Sequence, residues 1–587
     1  MRRFFQMIVV FGLTLFVLLG CSGAAETPTA TAVPPTPPPP TTEATEPGDA
    51  LPEATPYDLG ETTITQDRFP ADSRFHNMPV RLNGLIAAPT TGAGPFPVVV
   101  IFHGTHPGCP EDETGVDRWP CAPEDEQPNY QGFDYLVSHL AAQGYVALSL
   151  NINAENTFGF GEPDAGERLL QLVELHLGAL ATAVAGGQND FGVDLEGRAD
   201  LQNMALVGHS RGGEAIVWLA EGIGLAAPDA YERFGYGPVR GLLLLAPAVI
   251  FTLPVAPSVP LAVLLPACDG DVIGQEGQMY YDAARLNPEQ AAWALSVWLE
   301  QANHNGFNSI LGPDMIGHAN RPDCVPLLAP TEQQAFLLDF ADDFFTAVFD
   351  PANAAAPLAR MGLDAQSPAP DSLYGRAART STLAPSADRQ QLLVPTAVGE
   401  LTTHLLGGPV VAEGVTTFFC EEGHYTPFTN PGMEPCRRHN LTIPGNPALE
   451  IVSWEEAGAA LRFTLPQASD LSGYAAISLR AALDPLSPLN EADAPQAFSV
   501  RLTDGAGGTA VVPTRPNEPA LRFPPGEVEE EDALEGGLFT GRVPLTTIRL
   551  SLNEFSGVDL SQIVEVTLLF DQTASGSLFL TDLEWVR

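Results

Sequence analysis

Between residues 57 and 354 the apolar positions alternate between two rhythms. Short, nearly unbroken apolar runs at 96–102 (FPVVVIF), 146–150, 239–245 (VRGLLLL), 261–265 (LAVLL) and 293–299 read as strands buried on both faces of a sheet. Between them, 133–143, 165–185, 276–285 and 332–349 carry apolar residues at helical spacing, and 62–66 with 79–88 read as an opening strand pair. Strand and helix in alternation predict an α/β fold with a doubly wound, mainly parallel sheet.

The rhythm then changes. The stretch 355–389 is poor in pattern and reads as a linker or docking segment. Beyond it, 460–465, 474–479, 498–502, 509–512, 547–552, 564–570 and 577–585 are short strand-like runs separated by Gly, Asn, Asp and Pro, so 390–587 is expected to be an all-β sandwich.

The amino terminus has neither rhythm. Met1-Arg2-Arg3 precedes an apolar stretch, 4–19, that is short for a membrane span and ends in Leu18-Leu19-Gly20-Cys21. It resembles a bacterial lipobox, which implies that 1–20 is a lipoprotein signal, that Cys21 carries the lipid, and that the protein is exported and tethered to the outer face of a membrane. Residues 21–56, rich in Pro and Thr, cannot build a core and read as an extended stalk.

Charge narrows the partners. Acidic residues number 72 against 27 basic ones, all of them arginine, and the net charge of −45 excludes nucleic acid as a partner. Setting Cys21 aside leaves an even set of cysteines, which in an exported chain predicts disulfides; proximity along the chain pairs Cys109 with Cys121 and Cys420 with Cys436, leaving Cys268 with Cys324. None has the spacing of a zinc site, so neither a catalytic metal nor a cofactor is expected.

The chemistry centres on Asn203 to Ala215 (NMALVGHSRGGEA), where a strand-like run enters Gly208-His209-Ser210-Arg211-Gly212 and a helix-like run follows. A Gly-x-Ser-x-Gly turn between strand and helix is a nucleophile elbow, and Ser210 is the candidate nucleophile. A serine there needs a histidine to take its proton and a carboxylate to orient that histidine, in the order serine, acid, histidine. Asp269, after the strand at 261–265, is the expected acid, with Asp271 as the alternative, and His304 is the expected base.

These residues, with His103-Gly104 and Gly144-Tyr145-Val146, make about 60–350 resemble the α/β-hydrolases, in particular secreted esterases, dienelactone-hydrolase-like enzymes and polyesterases. The resemblance implies a serine carboxylic-ester hydrolase acting on a small or polymer-linked ester through an acyl-enzyme. Its oxyanion hole would use the backbone N–H groups of Arg211 and Thr105, and His103 and His209 would be structural. The segment 248–260 is short where many lipases carry a lid, so an open cleft is expected unless 105–127 or 305–330 covers it. From Asp470-Leu471-Ser472-Gly473-Tyr474, 498–504, 555–560 and 579–585, the β region resembles galactose-binding-like jelly rolls used as carbohydrate-binding modules. That implies a carbohydrate partner and makes Asp582 a candidate ligand for a structural calcium. The rivals are a catalytically inactive surface adhesion protein and a peptidase or other acyl-transfer enzyme on the same fold.

Overall fold

The computed structural model describes residues 52–395, 401–420, 441–525 and 541–587, apart from 68, 74, 112–116, 158–164, 250–257 and 315–322. The expected signal, Cys21, Cys436, the core of the 248–260 segment and parts of both possible covering loops therefore lie outside the described residues.

The chain enters with an antiparallel pair, β1 (Thr55–Thr65) and β2 (Asn77–Ala87). The apolar runs then form β3 (Phe96–Phe102), β4 (Val146–Leu150), β5 (Ala199–His209), β6 (Val239–Leu245), β7 (Leu261–Cys268) and β8 (Ala294–Asn303). These lie parallel in the order β4-β3-β5-β6-β7-β8, and β2 joins β4 antiparallel. Between and after them run α1 (Asp134–Ala142), α2 (Asn153–Thr157), α3 (Ala165–Val184), α4 (Arg211–Val217), α5 (Ala230–Phe234), α6 (Gln278–Leu286), α7 (Pro330–Phe349) and α8 (Ala355–Arg360).

Strand pleat divides the core in two. From β3, Val98, Val100 and Phe102 pack with Leu172, Leu177 and Leu180 of α3. Val99 and Ile101 turn the other way, onto Leu136 and Leu140 of α1 and Phe340 and Phe344 of α7. Helix α7 begins at Pro330, which has no N–H to leave unsatisfied in the first turn. Its Phe336, Phe340 and Phe344 stack at four-residue spacing with ring centroids 6.0 and 6.5 Å apart.

The 355–389 stretch docks onto the sheet rather than linking two free domains. It contributes α8, β9 (Ser372–Leu373) and β10 (Arg376–Leu383), and β10 extends the large sheet by pairing antiparallel with β8, Thr380 opposite Val297. The sheet is therefore mixed, with a parallel centre and antiparallel edges.

The β-rich half has β11 (Arg389–Leu393), β12 (Val410–Glu413), β13 (Val415–Cys420), β14 (Leu441–Thr442), β15 (Leu449–Trp454), β16 (Ala459–Ser469), β17 (Ala476–Leu483), β18 (Ser499–Asp504), β19 (Thr509–Pro513), β20 (Gly541–Arg542), β21 (Thr546–Ser551), β22 (Ile563–Phe570) and β23 (Gly576–Val586). One sheet runs β13-β15-β23-β17-β21 with β11 against β23, and the other β12-β16-β22-β18-β19; both are antiparallel. Trp454, Ile477 and Leu479 from the first sheet share a core with Phe463, Val500 and Val566 from the second, as a sandwich requires. A short parallel pair joins β14 to β20.

The two halves form one compact unit, Ala50–Arg587, and arginines fill the seam. Arg285 of α6 donates to Asp582 of β23 (2.8 Å) and to Asp282 of its own helix (3.0 Å). Arg480 of β17 crosses back to Asp282 (2.6 Å) and to Ser381 Oγ of β10 (2.9 Å). Arg379 of β10 donates to the Pro519 carbonyl (3.0 Å), and Arg549 of β21 to the Ser367 carbonyl (3.1 Å). A guanidinium suits such a seam because its five donors can satisfy several buried acceptors at once.

One sequence expectation changes here. Asp582 pairs with Arg285, and because the buried guanidinium already gives its carboxylate a strong partner the calcium reading is withdrawn. Among the described residues no cluster of three or more metal-ligating side chains occurs, and no helix is long and apolar enough to cross a membrane. Disulfides do join Cys109 to Cys121 and Cys268 to Cys324, and Cys420 is also disulfide-bonded.

Removing one member of a buried ion pair leaves the other desolvated, so Asp582→Ala is expected to cost about 3 kcal/mol in a denaturant melt. A cost near zero, or a melting midpoint that follows added calcium, would contradict the seam assignment.

Candidate active site

Strand β5 runs into α4 through one strained residue. Ser210 has φ 55° and ψ −123°, a conformation that a non-glycine residue adopts only when its surroundings enforce it. Enforcement is local: Ser210 N–H donates to the Leu245 carbonyl (2.9 Å), while the Ser210 carbonyl accepts from Gly213 (2.9 Å) and Ala248 (3.2 Å). A side chain at Gly208 would lie 2.3 Å from the Gly212 carbonyl oxygen, and one at Gly212 would lie 2.5 Å from that of Phe102. The two glycines of the turn are therefore what lets helix, strand and neighbouring loop approach so closely.

The acid and the histidine arrive from the ends of β7 and β8. Asp269 directly follows β7 and is 1% exposed; His304 opens a single helical turn, His304–Phe307, directly after β8 and is fully buried. His304 Nδ1 donates to Asp269 Oδ2 at 2.9 Å. The other oxygen, Oδ1, accepts from the backbone N–H groups of Asp271 (2.9 Å) and Val272 (2.7 Å), so both oxygens of the carboxylate are fixed. Asn303 ties the two strand ends together by donating to the Cys268 carbonyl (2.9 Å), and Gln333 of α7 pairs with both backbone groups of Asn303 (3.0 and 2.8 Å). The Cys268–Cys324 disulfide anchors the acid loop to the segment beyond the histidine.

Asp271 takes a different place from Asp269. Its side chain is 55% exposed, and its Oδ2 lies 3.4 Å from His304 Nε2, the far nitrogen of the ring. Among the described residues neither His304 Nε2 nor Ser210 Oγ makes a hydrogen bond. The structure thus joins acid to histidine and leaves the histidine's second nitrogen without a hydrogen bond, 3.4 Å from Asp271 Oδ2.

The residues flanking the serine close the site. A side chain on Gly104 would lie 2.8 Å from Ser210 Cβ and 3.3 Å from both His106 Nε2 and His209 Nδ1, which sets the loop after β3 directly against the elbow. Thr105 follows Gly104, and its Oγ1 is buried without a hydrogen-bond partner. Arg211 is the first residue of α4, so its N–H belongs to the first-turn donors that a helix cannot satisfy internally. Its side chain pairs with Glu214 (3.1 Å), buried and turned into the fold. His103 bridges neighbouring loops, donating from Nδ1 to the Gly104 carbonyl (2.7 Å) and accepting at Nε2 from Ile152 N–H (3.0 Å). His209 donates from Nε2 to the His304 carbonyl (3.0 Å), its ring 4.9 Å from that of His304.

Two further residues of the site carry little sequence signal. His106 stacks on His209 with centroids 6.1 Å apart and buries its Nε2 without a hydrogen-bond partner; a histidine two residues past His103-Gly104 is the only hint of it. Arg542, from β20 of the other half, donates to the carbonyls of Ala267 (2.8 Å) and Asp269 (2.7 Å), and no local pattern announces a contact across more than 270 residues of chain.

Electrostatics separate the histidines. Burial alone would push His304 down, but Asp269, then Asp271 and Asp314, outweigh it and raise the imidazole above its ordinary 6.5. Burial would raise Asp269, yet His304 and then Arg542 hold its carboxyl below the usual range. His103 is lowered by burial to about 4, and His106 by burial and the neighbouring His304 to about 3, so both are neutral near pH 7. Of these three histidines, His304 is therefore the one on which a positive charge is favoured.

No protein-family model matches the chain, and no curated protein is significantly similar to it.

Because the negative charge of Asp271 helps to raise His304, Asp271→Asn should lower the His304 pKa measured by NMR titration, and Asp269→Asn should lower it further. An unchanged titration in both variants would contradict the electrostatic account.

Proposed function

We propose that the chain is a serine carboxylic-ester hydrolase of the α/β-hydrolase type, with Ser210 as nucleophile, His304 as base and then acid, and Asp269 as the group that orients His304. The observation that carries this reading is the conjunction of a serine held at φ 55° between strand and helix with a buried histidine whose Nδ1 is fixed 2.9 Å from a carboxylate at the end of a neighbouring strand. The strand order β1-β2-β4-β3-β5-β6-β7-β8 supports the fold assignment. Asp269 rather than Asp271 is the orienting acid, because only Asp269 holds the nitrogen opposite the one that must serve the serine.

In this reaction Ser210 Oγ attacks the ester carbonyl while its proton passes to His304 Nε2. The carbonyl oxygen, now an anion, accepts hydrogen bonds from the backbone N–H groups of Arg211 and Thr105, and each such donor is typically worth about 3 kcal/mol in the transition state. Collapse returns the electron pair, breaks the bond to the alcohol oxygen, and takes the His304 proton to the leaving alcohol. Water then attacks the acyl-enzyme with His304 again as base, releasing the acid and Ser210. For the first step His304 Nε2 must face Ser210 rather than Asp271, and hydrogen bonds of this kind commonly tighten only when substrate binds.

The proposal includes export and a lipid anchor at Cys21, which the disulfides and the absence of a membrane-crossing helix among the described residues accompany. It also includes carbohydrate as the partner of the β-rich half, where Gln390, Gln467, Asp470, Tyr474 and Trp585 line a hollow of about 430 Å³.

Ser210→Ala should abolish turnover of a short p-nitrophenyl ester by the folded protein; retained turnover would refute the nucleophile, and paired ester and amide substrates separate an esterase from a peptidase. Activity should fall as pH drops through the His304 pKa, above 6.5, because a protonated imidazole is no base. In Asp271→Asn that acid limb should move to lower pH with turnover otherwise kept within about tenfold, whereas Asp269→Asn should cost about 10⁴ in kcat. The reverse ranking would exchange the two roles.

A further inference from the structure

We propose that Arg542, carried by the β-rich half, is a positioning residue for the active-site acid, so that the two halves complete one site. The inference rests on the reading of Asp269 and His304 given above.

The argument begins with where the guanidinium ends. Arg542 is 1% exposed, and its two terminal nitrogens reach different carbonyls of one turn, Nη1 that of Ala267 at 2.8 Å and Nη2 that of Asp269 at 2.7 Å. Ala267 lies at the end of β7 and Asp269 is the acid itself, so the planar fork spans the three residues over which the chain leaves the sheet. Two bonds from one rigid group fix both the position and the tilt of the Asp269 peptide, which a single donor would not. The side chain of Asp269 is then aimed by its backbone, with Oδ1 held by Asp271 and Val272 and Oδ2 left for His304 Nδ1.

The other arginines of the seam do a different job. Arg285 and Arg480 bind carboxylates, and Arg549 binds carbonyls of the 362–367 segment, none of them part of the acid loop. Arg542 stands apart by contacting a residue of the proposed triad. The β20 backbone that carries it is set by its parallel pairing with β14, Arg542 beside Thr442, so the placement of the acid depends on strands formed by the far end of the chain. A carbohydrate-binding appendage joined only by a tether would have no such contact. An ester hydrolase built this way loses its acid geometry when the β-rich half is displaced.

Three variants of the full-length protein test this: Arg542→Gln, Arg542→Lys and, as a seam control, Arg549→Gln. In Arg542→Gln, kcat for a p-nitrophenyl ester should fall about 10- to 100-fold with KM nearly unchanged, as for other losses of orientation at a reacting centre. Arg542→Lys, which keeps the charge and one donor, should recover part of the loss, and Arg549→Gln should lower thermal stability while leaving kcat near wild type. The low-field proton resonance of His304 Nδ1–H should shift or vanish in Arg542→Gln and persist in Arg549→Gln. That resonance reads the Asp269–His304 bond without any turnover, so it separates this inference from the esterase assignment: Ser210→Ala with full activity would sink the assignment and leave the resonance result standing. A wild-type resonance together with kcat within about twofold of wild type in Arg542→Gln would overturn the positioning role. So would failure of both Arg542 variants to fold, which would make the residue a structural anchor alone.

Discussion

The structure depends on where an all-arginine set of cations is placed in a strongly acidic chain. With 27 arginines against 72 carboxylates, nearly every cation has several possible partners, and a group of them has been drawn into the seam between the halves. Arg285, Arg480 and Arg542 are each 3% exposed or less in side chain or residue, at a cost in desolvation that only multiple, well-directed bonds can offset. Lysine, a point charge with a stronger hydration shell, could not span the Ala267 and Asp269 carbonyls as Arg542 does. The seam in turn buries polar edges of both halves, which is why β10, at the rim of the large sheet, carries Arg379 and Ser381 toward the β-rich half rather than toward water.

From that seam the order passes to the candidate site. Arg542 holds the acid loop, the acid holds His304, and His304 is held again through its carbonyl by His209, the residue beside the elbow serine. The histidine is thus tied to the acid through its ring and to the elbow through its backbone. What is not drawn tight is the approach of Nε2 to Ser210, and Asp271 stands 3.4 Å from that nitrogen. Under the proposed mechanism Asp271 then has two opposed effects: it stabilises the imidazolium formed during attack, and it competes with the serine for Nε2 beforehand. Its half-exposed position keeps both effects modest by leaving the carboxylate to water.

Much of this was legible in the sequence, and the limits have physical causes. The elbow is local, since a strand, two glycines and a helix between Asn203 and Ala215 announce their own geometry. Asp269 and His304 were legible through order, each following an apolar strand, and the parallel sheet delivers both to the same edge. The strand 376–383 (RAARTSTL) was not, because a strand whose polar side chains are satisfied inside a seam lacks the apolar alternation that marks burial against a core. Asp582 misled for a related reason: a carboxylate on a late strand resembles a metal ligand until Arg285, 297 positions away, is seen beside it. Arg542 and His106 belong to the same class, residues whose role is set by neighbours from distant parts of the chain.

The most direct measurement of the central claim is the site of covalent capture. Treatment of the folded protein with a fluorophosphonate, followed by peptide mapping in a mass spectrometer, should place a single adduct on the peptide that contains Ser210, with capture slowed when His304 is replaced. An adduct on another residue, or none from a protein that still turns over an ester, would contradict it.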